Sequence, residues 1–167
     1  ENQKEVLLRL GNYYEPMIDY QSNVKSGDST NMEGIAAQHY WKHLISLDFL
    51  RQRYGDSPNP FFNFGYSVLR SIVARAIVEA GLLPVLGIFH KNKYNAYCLA
   101  DDLMEPFRPV VDLLVYSAVN PEDDLCPDVK RLLFNCLNLD ISSGKQKHSV
   151  AYAMERTVQS LQRSLAD

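Results

Sequence analysis

The chain has 167 residues, 46% of them hydrophobic and 22% charged, with a net charge of −3. That composition suits one globular domain whose core needs no disulfide or metal, and it excludes disordered and fibrous chains. The slightly acidic balance leaves nucleic-acid contact to local basic clusters. The longest nearly unbroken apolar run, Leu82 to Phe89, is far short of the ~20 residues of a membrane helix. No charged-then-apolar leader opens the chain, so neither a membrane span nor a signal peptide is expected. Cys98, Cys126 and Cys136 are odd in number and lack close pairing, which predicts the reduced thiols of a cytoplasmic protein. The chain starts at Glu1 on a helical pattern (Val6, Leu7, Leu10), as expected of a piece of a longer protein.

In chain order, residues 2–14 predict a short helix and 15–28 a polar linker ending in Ser26-Gly27-Asp28. Residues 30–50 space Met32, Ile35, Ala36, Tyr40, Leu44 and Leu47 as a helix does. Tyr54 to Pro60 reads as a loop. Residues 61–80 form the strongest pattern, with Phe61, Phe64, Val68, Leu69, Ile72, Val73, Ala76, Ile77 and Ala80 on one broad face and Gly81 where a terminal glycine belongs. A polar knot, His90 to Asn95, precedes a helix from about Leu99 to Val119, kinked by Pro106 and Pro109. Helices over 129–138 and about 149–165 complete the chain. No alternating strand pattern is present, so the expected fold class is all-α, a single multi-helix domain.

Three polar sites could carry chemistry. Glu33 follows Thr30 by three, the spacing of a capping box, and from local sequence alone that role is favoured. His90, alone in a loop before two lysines, is a weak signal for a metal ligand or general base. Asp102, Glu105, Arg108 and Asp112 share a face of the kinked helix. They fit either a solvated stripe of Glu105–Arg108 and Arg108–Asp112 pairs, or an electronegative spot where the prolines free the carbonyls of Asp102 and Glu105 for a cation. His39 and His43, one turn apart, could hold a metal but fit the outer side of their helix better. Basic residues gather at Lys91 and Lys93, at Arg70 and Arg75, and at Lys145, Lys147 and His148 before a last helix bearing Arg156 and Arg163. With Tyr66, Tyr94 and Tyr97 interleaved, they read as solvated charges or as a phosphate-backbone track. Nucleophile-elbow, phosphate-loop, zinc-protease and dinucleotide motifs are absent from the sequence.

Four stretches taken together resemble the integrase of CRISPR adaptation, most similar to its type II branch. They are Glu33-Gly34-x-Ala36-Ala37-x-x-Tyr40-Trp41, Asn63-Phe64-Gly65-Tyr66-x-x-Leu69-Arg70, Gly87-Ile88-Phe89-His90-Lys91-x-x-Tyr94-Asn95, and Asp102-Leu103-Met104-Glu105-Pro106-Phe107-Arg108-Pro109. The resemblance covers residues 26–165 and leaves 1–25 as a leading helix and linker. It implies the family's C-terminal helical catalytic domain, without a counterpart of the family's β-rich, dimerising N-terminal domain. It implies Glu33, His90 and Glu105 as catalytic residues binding Mg²⁺ or Mn²⁺, with Asp102 as a second acid near the metal. It implies a metal-dependent DNA integrase/endonuclease that joins the 3′-hydroxyl ends of new spacer DNA to the repeat by transesterification. Expected DNA contacts are Arg70, Lys91, Lys93, Tyr94, Arg108, Lys145 and Lys147. Expected partners are double-stranded DNA, a second copy in the full-length homodimer and a small ferredoxin-like CRISPR-associated protein, in the prokaryotic cytoplasm with no membrane. The competing expectations are a non-catalytic helical scaffold of the adaptation complex and a generic metal-dependent DNA nuclease.

Overall fold

The structure, a computed structural model, describes residues 1–143 and 146–166. Its centre is α4 (Asn59–Glu79), which begins with Pro60 in its first turn, where the missing N–H costs nothing. It ends as expected: Gly81 takes φ +74°, its N–H bonds to the Val78 carbonyl, and the Leu82 N–H reaches back to Ile77, the paired closure that a left-handed glycine permits. By length and composition α4 could cross a membrane, a feature that the search for unbroken apolar runs passed over. Here it is the core helix, packed against α5 (Cys98–Met104), α6 (Arg108–Ala118), α7 (Pro127–Phe134) and α8 (Val150–Ala166). Phe61, Phe62, Leu69, Val73 and Ile77 meet Met104, Val111, Leu133 and Met154 in the main core.

A second, smaller core lies under the first third of the chain. The region expected to be a polar linker contains α2 (Pro16–Asn23), again started by a proline. Met17 of α2 is buried with Val6 and Leu7 of α1 (Asn2–Leu10) against Tyr40 and Leu44 of α3 (Met32–Leu44). Trp41 and Ile45 pack on both cores and join them. His39 and His43 are not on an open outer face: their rings stand 4.2 Å apart between Tyr13 and Tyr20, and His39 Nε2 bonds the Tyr13 carbonyl at 2.9 Å.

The kink predicted at Pro106 and Pro109 is real. A 3₁₀ turn over Glu105–Phe107 separates α5 from α6. Asn2 Nδ2 donates to the Pro106 carbonyl at 2.6 Å, tying α1 to that turn. The turn and Pro109 form a ridge between two surface grooves. One groove, of about 1030 Å³, runs between α1 and α8 over an apolar floor that includes Phe107, Leu114 and Leu161.

The expectation of no strands needs one correction. β1 (Asp140–Ser143) and β2 (Gln146–Ser149) pair antiparallel with Asp140 opposite Ser149 and Ser143 opposite Gln146. Four mostly polar residues per strand are too few to show alternation, and Ile141 alone packs on the core. The chain is otherwise helical, as expected.

Candidate active site

The second groove, of about 910 Å³, lies between α3, α4 and the Glu105 turn. Glu33, Arg51, Arg53, Asn63, Tyr66, Arg70, Glu105, Arg108 and Asp112 line it. Glu33 reaches it from the first turn of α3, and the capping box does not form there. Asp28 supplies the cap, its carboxylate accepting the Met32 N–H at 2.8 Å and the Glu33 N–H at 2.9 Å. The Glu33 carboxylate, free of that duty, faces the groove.

His90 stands beside this groove, fixed by Asp102. One Asp102 oxygen accepts the backbone N–H of Ile88 at 2.6 Å and of Phe89 at 2.9 Å. The other accepts the His90 N–H at 3.1 Å and the His90 ring at Nδ1. The loop can curl this tightly because residue 87 is glycine: a Cβ there would collide with the His90 carbonyl and stand 2.8 Å from Cys98 Cβ. The hydrogen bond from Asp102 raises the His90 pKa above its ordinary value, against the opposing effect of burial. Burial pushes the Asp102 pKa up, but the Phe89, His90 and Ile88 donors outweigh it and hold the pKa below its usual value. With the proton on Nδ1 facing Asp102, the His90 Nε2 lone pair is left for a ligand.

Glu105 sits on the kink. Burial raises its pKa; the nearby negative charges of Glu33 and Asp102 add to this, while Arg108 and His90 oppose it. Its carbonyl is not free for a cation, because it accepts the Arg108 N–H in the 3₁₀ turn. The expected pairs along the stripe are also absent: among the described residues Arg108 forms no ion pair with Glu105 or Asp112. Arg108 lies 5.0 Å from the Tyr66 ring centre, and its buried Nε has no partner. Asp112 is buried, accepting the hydroxyls of Tyr40 at 3.0 Å and of Tyr66.

Two carboxylates and an imidazole suit a divalent cation such as Mg²⁺ or Mn²⁺ in kind. Among the described residues, no three of His, Cys, Asp and Glu draw close enough together to hold an ion. The structure brings Glu33 and Glu105 to one groove and couples His90 and Asp102 electrostatically to Glu105.

The basic residues fall into different places. Arg70 is a groove wall, but its guanidinium is engaged by buried Asp101 at 2.7 Å, and Asn95 holds the other Asp101 oxygen at 2.7 Å. Lys91, Lys93 and Tyr94 stand exposed just after His90, with Lys93 Nζ 4.9 Å from the Tyr94 ring centre. Lys147 is exposed on β2 and lines neither groove. Lys145 lies outside the described residues. Sequence reading missed Arg51 and Arg53. Arg51 donates to Asn59 Oδ1 at 2.8 Å, Asn63 Oδ1 at 2.7 Å and the Gln52 carbonyl at 2.9 Å, among the rings of Trp41, Phe62 and Tyr66. The signal was Asn59 and Asn63, one turn apart on α4 and facing the preceding loop.

Residues 2–124 match the protein family described as CRISPR associated protein Cas1. The chain is 38% identical over 149 residues to the CRISPR-associated endonuclease Cas1 of Neisseria meningitidis serogroup C (strain 8013), covering 87% of this chain and 49% of that protein. It is 32% identical over 125 residues to the CRISPR-associated endonuclease Cas1 2 of Pyrobaculum aerophilum, covering 69% of this chain and 42% of that protein. The fold superposes on a casposase bound to integration product with a TM-score of 0.78 and 25% identity, over 98% of this chain and 57% of the casposase. The chain spans about half the length of the curated relatives it matches. With the helical fold, a groove lined by three of its four sequence stretches and the fourth carrying His90 beside it, the chain belongs to the Cas1 family of CRISPR-associated proteins.

Proposed function

We propose that this chain is the catalytic domain of a metal-dependent DNA integrase/endonuclease of CRISPR adaptation, joining 3′-hydroxyl ends of spacer DNA to the repeat by transesterification. The observation that carries it is the Asp102–His90 pair beside the Glu33–Glu105 groove. Glu33, Glu105 and His90 Nε2, once drawn closer together, would hold Mg²⁺ or Mn²⁺, and such an ion would supply polarisation of a phosphate and ease loss of the leaving oxygen. Asp102 acts through His90, setting its tautomer and aim rather than serving as a ligand. Arg108 offers the groove a guanidinium whose fork fits two phosphate oxygens. Attack by a DNA hydroxyl needs no enzyme nucleophile, which agrees with a groove lined by neither serine–histidine nor cysteine–histidine pairs among the described residues. The integration product bound by the casposase supports the reading of this groove as an integration site. A homodimer, a ferredoxin-like partner and a cytoplasmic setting belong to the same proposal for the whole protein. The test is Mn²⁺ titration by calorimetry alongside a strand-transfer assay in the full-length protein. Glu33→Ala, His90→Ala and Glu105→Ala are each expected to lose both; a Glu105→Ala protein that binds Mn²⁺ like the parent overturns the site.

A further inference from the structure

The loop that ends in His90 holds a row of apolar side chains in water. Ile88 is 60% exposed and Phe89 63%, with Leu83 and Leu86 at 60% and 64%. On a slack loop such side chains would fold back onto the protein. Here the backbone is pinned, since the N–H groups of Ile88 and Phe89 both donate to Asp102 and Gly87 is packed against Cys98. The carboxylate that aims the His90 ring therefore also holds two apolar side chains outward. Immediately beyond them come Lys91, Lys93 and Tyr94, the last 84% exposed.

We propose that Ile88 and Phe89 form an apolar wedge that unstacks the DNA bases next to the phosphodiester seated at His90, with Lys91 and Lys93 holding the flanking backbone. The proposal rests on the DNA reading above and adds how the duplex is opened at the step beside the reacting phosphate. Successive residues lie ~3.8 Å apart and successive bases ~3.4 Å along the strand, so a phosphate at His90 brings the neighbouring step within reach of residues 88 and 89. Apolar side chains inserted at a base step kink the duplex and open contact with the protein. An exposed apolar patch can equally dock a protein. The two lysines decide for nucleic acid, because their charges match the phosphates on either side of an opened step and would be stranded against an apolar partner surface.

The test uses the full-length protein and a branched duplex carrying 2-aminopurine at the junction step, with affinity read by fluorescence polarisation. The parent is expected to raise 2-aminopurine fluorescence on binding. Phe89→Ala combined with Ile88→Ala is expected to lose that rise while melting at the parent temperature, since neither side chain is in the core. Phe89→Trp with Ile88 intact is expected to keep it. Binding by the parent with no fluorescence rise overturns the wedge but leaves the DNA reading standing. An undiminished rise in the double variant also overturns the wedge. A double variant that loses self-association in sedimentation assigns the patch to a second copy and overturns the wedge too. No binding of the branched duplex by the parent overturns the DNA reading and the wedge together.

Discussion

The Asp112 carboxylate accepts the Tyr66 hydroxyl on one oxygen and the Tyr40 hydroxyl on the other, inside the wall of the groove that Glu33 and Glu105 line. Burial raises its pKa from 3.8 to about 7, although both hydroxyls and the charges of Arg51 and Arg108 pull it down. Between those values the folded chain keeps a proton that the unfolded chain has lost. The stability contributed by this group is therefore complete below the unfolded pKa and is lost as pH rises toward 7, by on the order of 4 kcal/mol if the whole shift is felt. Asp112→Asn is expected to flatten that decline, measured as urea midpoints from pH 4 to pH 7. An equally steep decline in the variant would show that another group causes it.

Asp102→Asn removes the hydrogen bond that raises the His90 pKa. The imidazole titration, followed by NMR, is expected to move down, and the preference for a proton on Nδ1 to weaken. Melting is expected to fall as well, because three backbone N–H groups lose a charged acceptor. A His90 titration identical to the parent's would mean that Asp102 does not set it.

Arg51 and Arg108 both stack on Tyr66, at 5.3 and 5.0 Å, yet they should respond differently to substitution. Arg51 has spent its donors on Asn59, Asn63 and Gln52, so Arg51→Lys is expected to destabilise the fold by about 1–3 kcal/mol, since an ammonium cannot reproduce three fixed bonds and a planar stack. Arg108 keeps an unpartnered Nε. Arg108→Lys is expected to leave the urea midpoint nearly unchanged and to lower strand transfer in the full-length protein. Unchanged strand transfer would reduce Arg108 to a wall of the groove.

Residues 1–167 are expected to fold alone but not to carry out paired integration. The two cores are closed within this chain, and Trp41 links them. With a net charge of −3, long-range attraction for DNA is small, and losing a few phosphate contacts costs orders of magnitude in affinity at physiological salt. A cooperative urea transition together with an inactive strand-transfer reaction on a repeat-bearing plasmid is the expected pair of results. Efficient paired insertion by this chain would contradict it.

How much of this was legible in the sequence depended on the range of the interaction concerned. The central helix was legible because Phe61 through Ala80 repeat at one period and Gly81 closes them. Asp28 was misjudged because the capping signal places Thr30 at the right distance from Glu33, whereas Asp28 caps from a left-handed turn, at φ 42°, that no spacing rule covers. Residues 15–28 read as a polar linker because α2 is short and buries only Met17; Pro16 opens it at a first-turn position where proline is harmless. Local pattern offered Glu33, His90 and Glu105 only as separate, weak candidates, and their grouping as one site came from the family resemblance. The Asp102 cradle around His90 and the Asp112–tyrosine pair in the groove wall are contacts between residues far apart in sequence, which local pattern cannot display.

The bond from Asn2 to the Pro106 carbonyl fastens the second residue of the chain to the residue next to Glu105. The turn it grips is the break between α5 and α6, where the prolines interrupt the helical ladder. Tension applied where the chain begins would thus be delivered to the hinge bearing a groove carboxylate, bypassing both cores. A displacement of Asn2 is therefore felt first at the turn that carries Glu105.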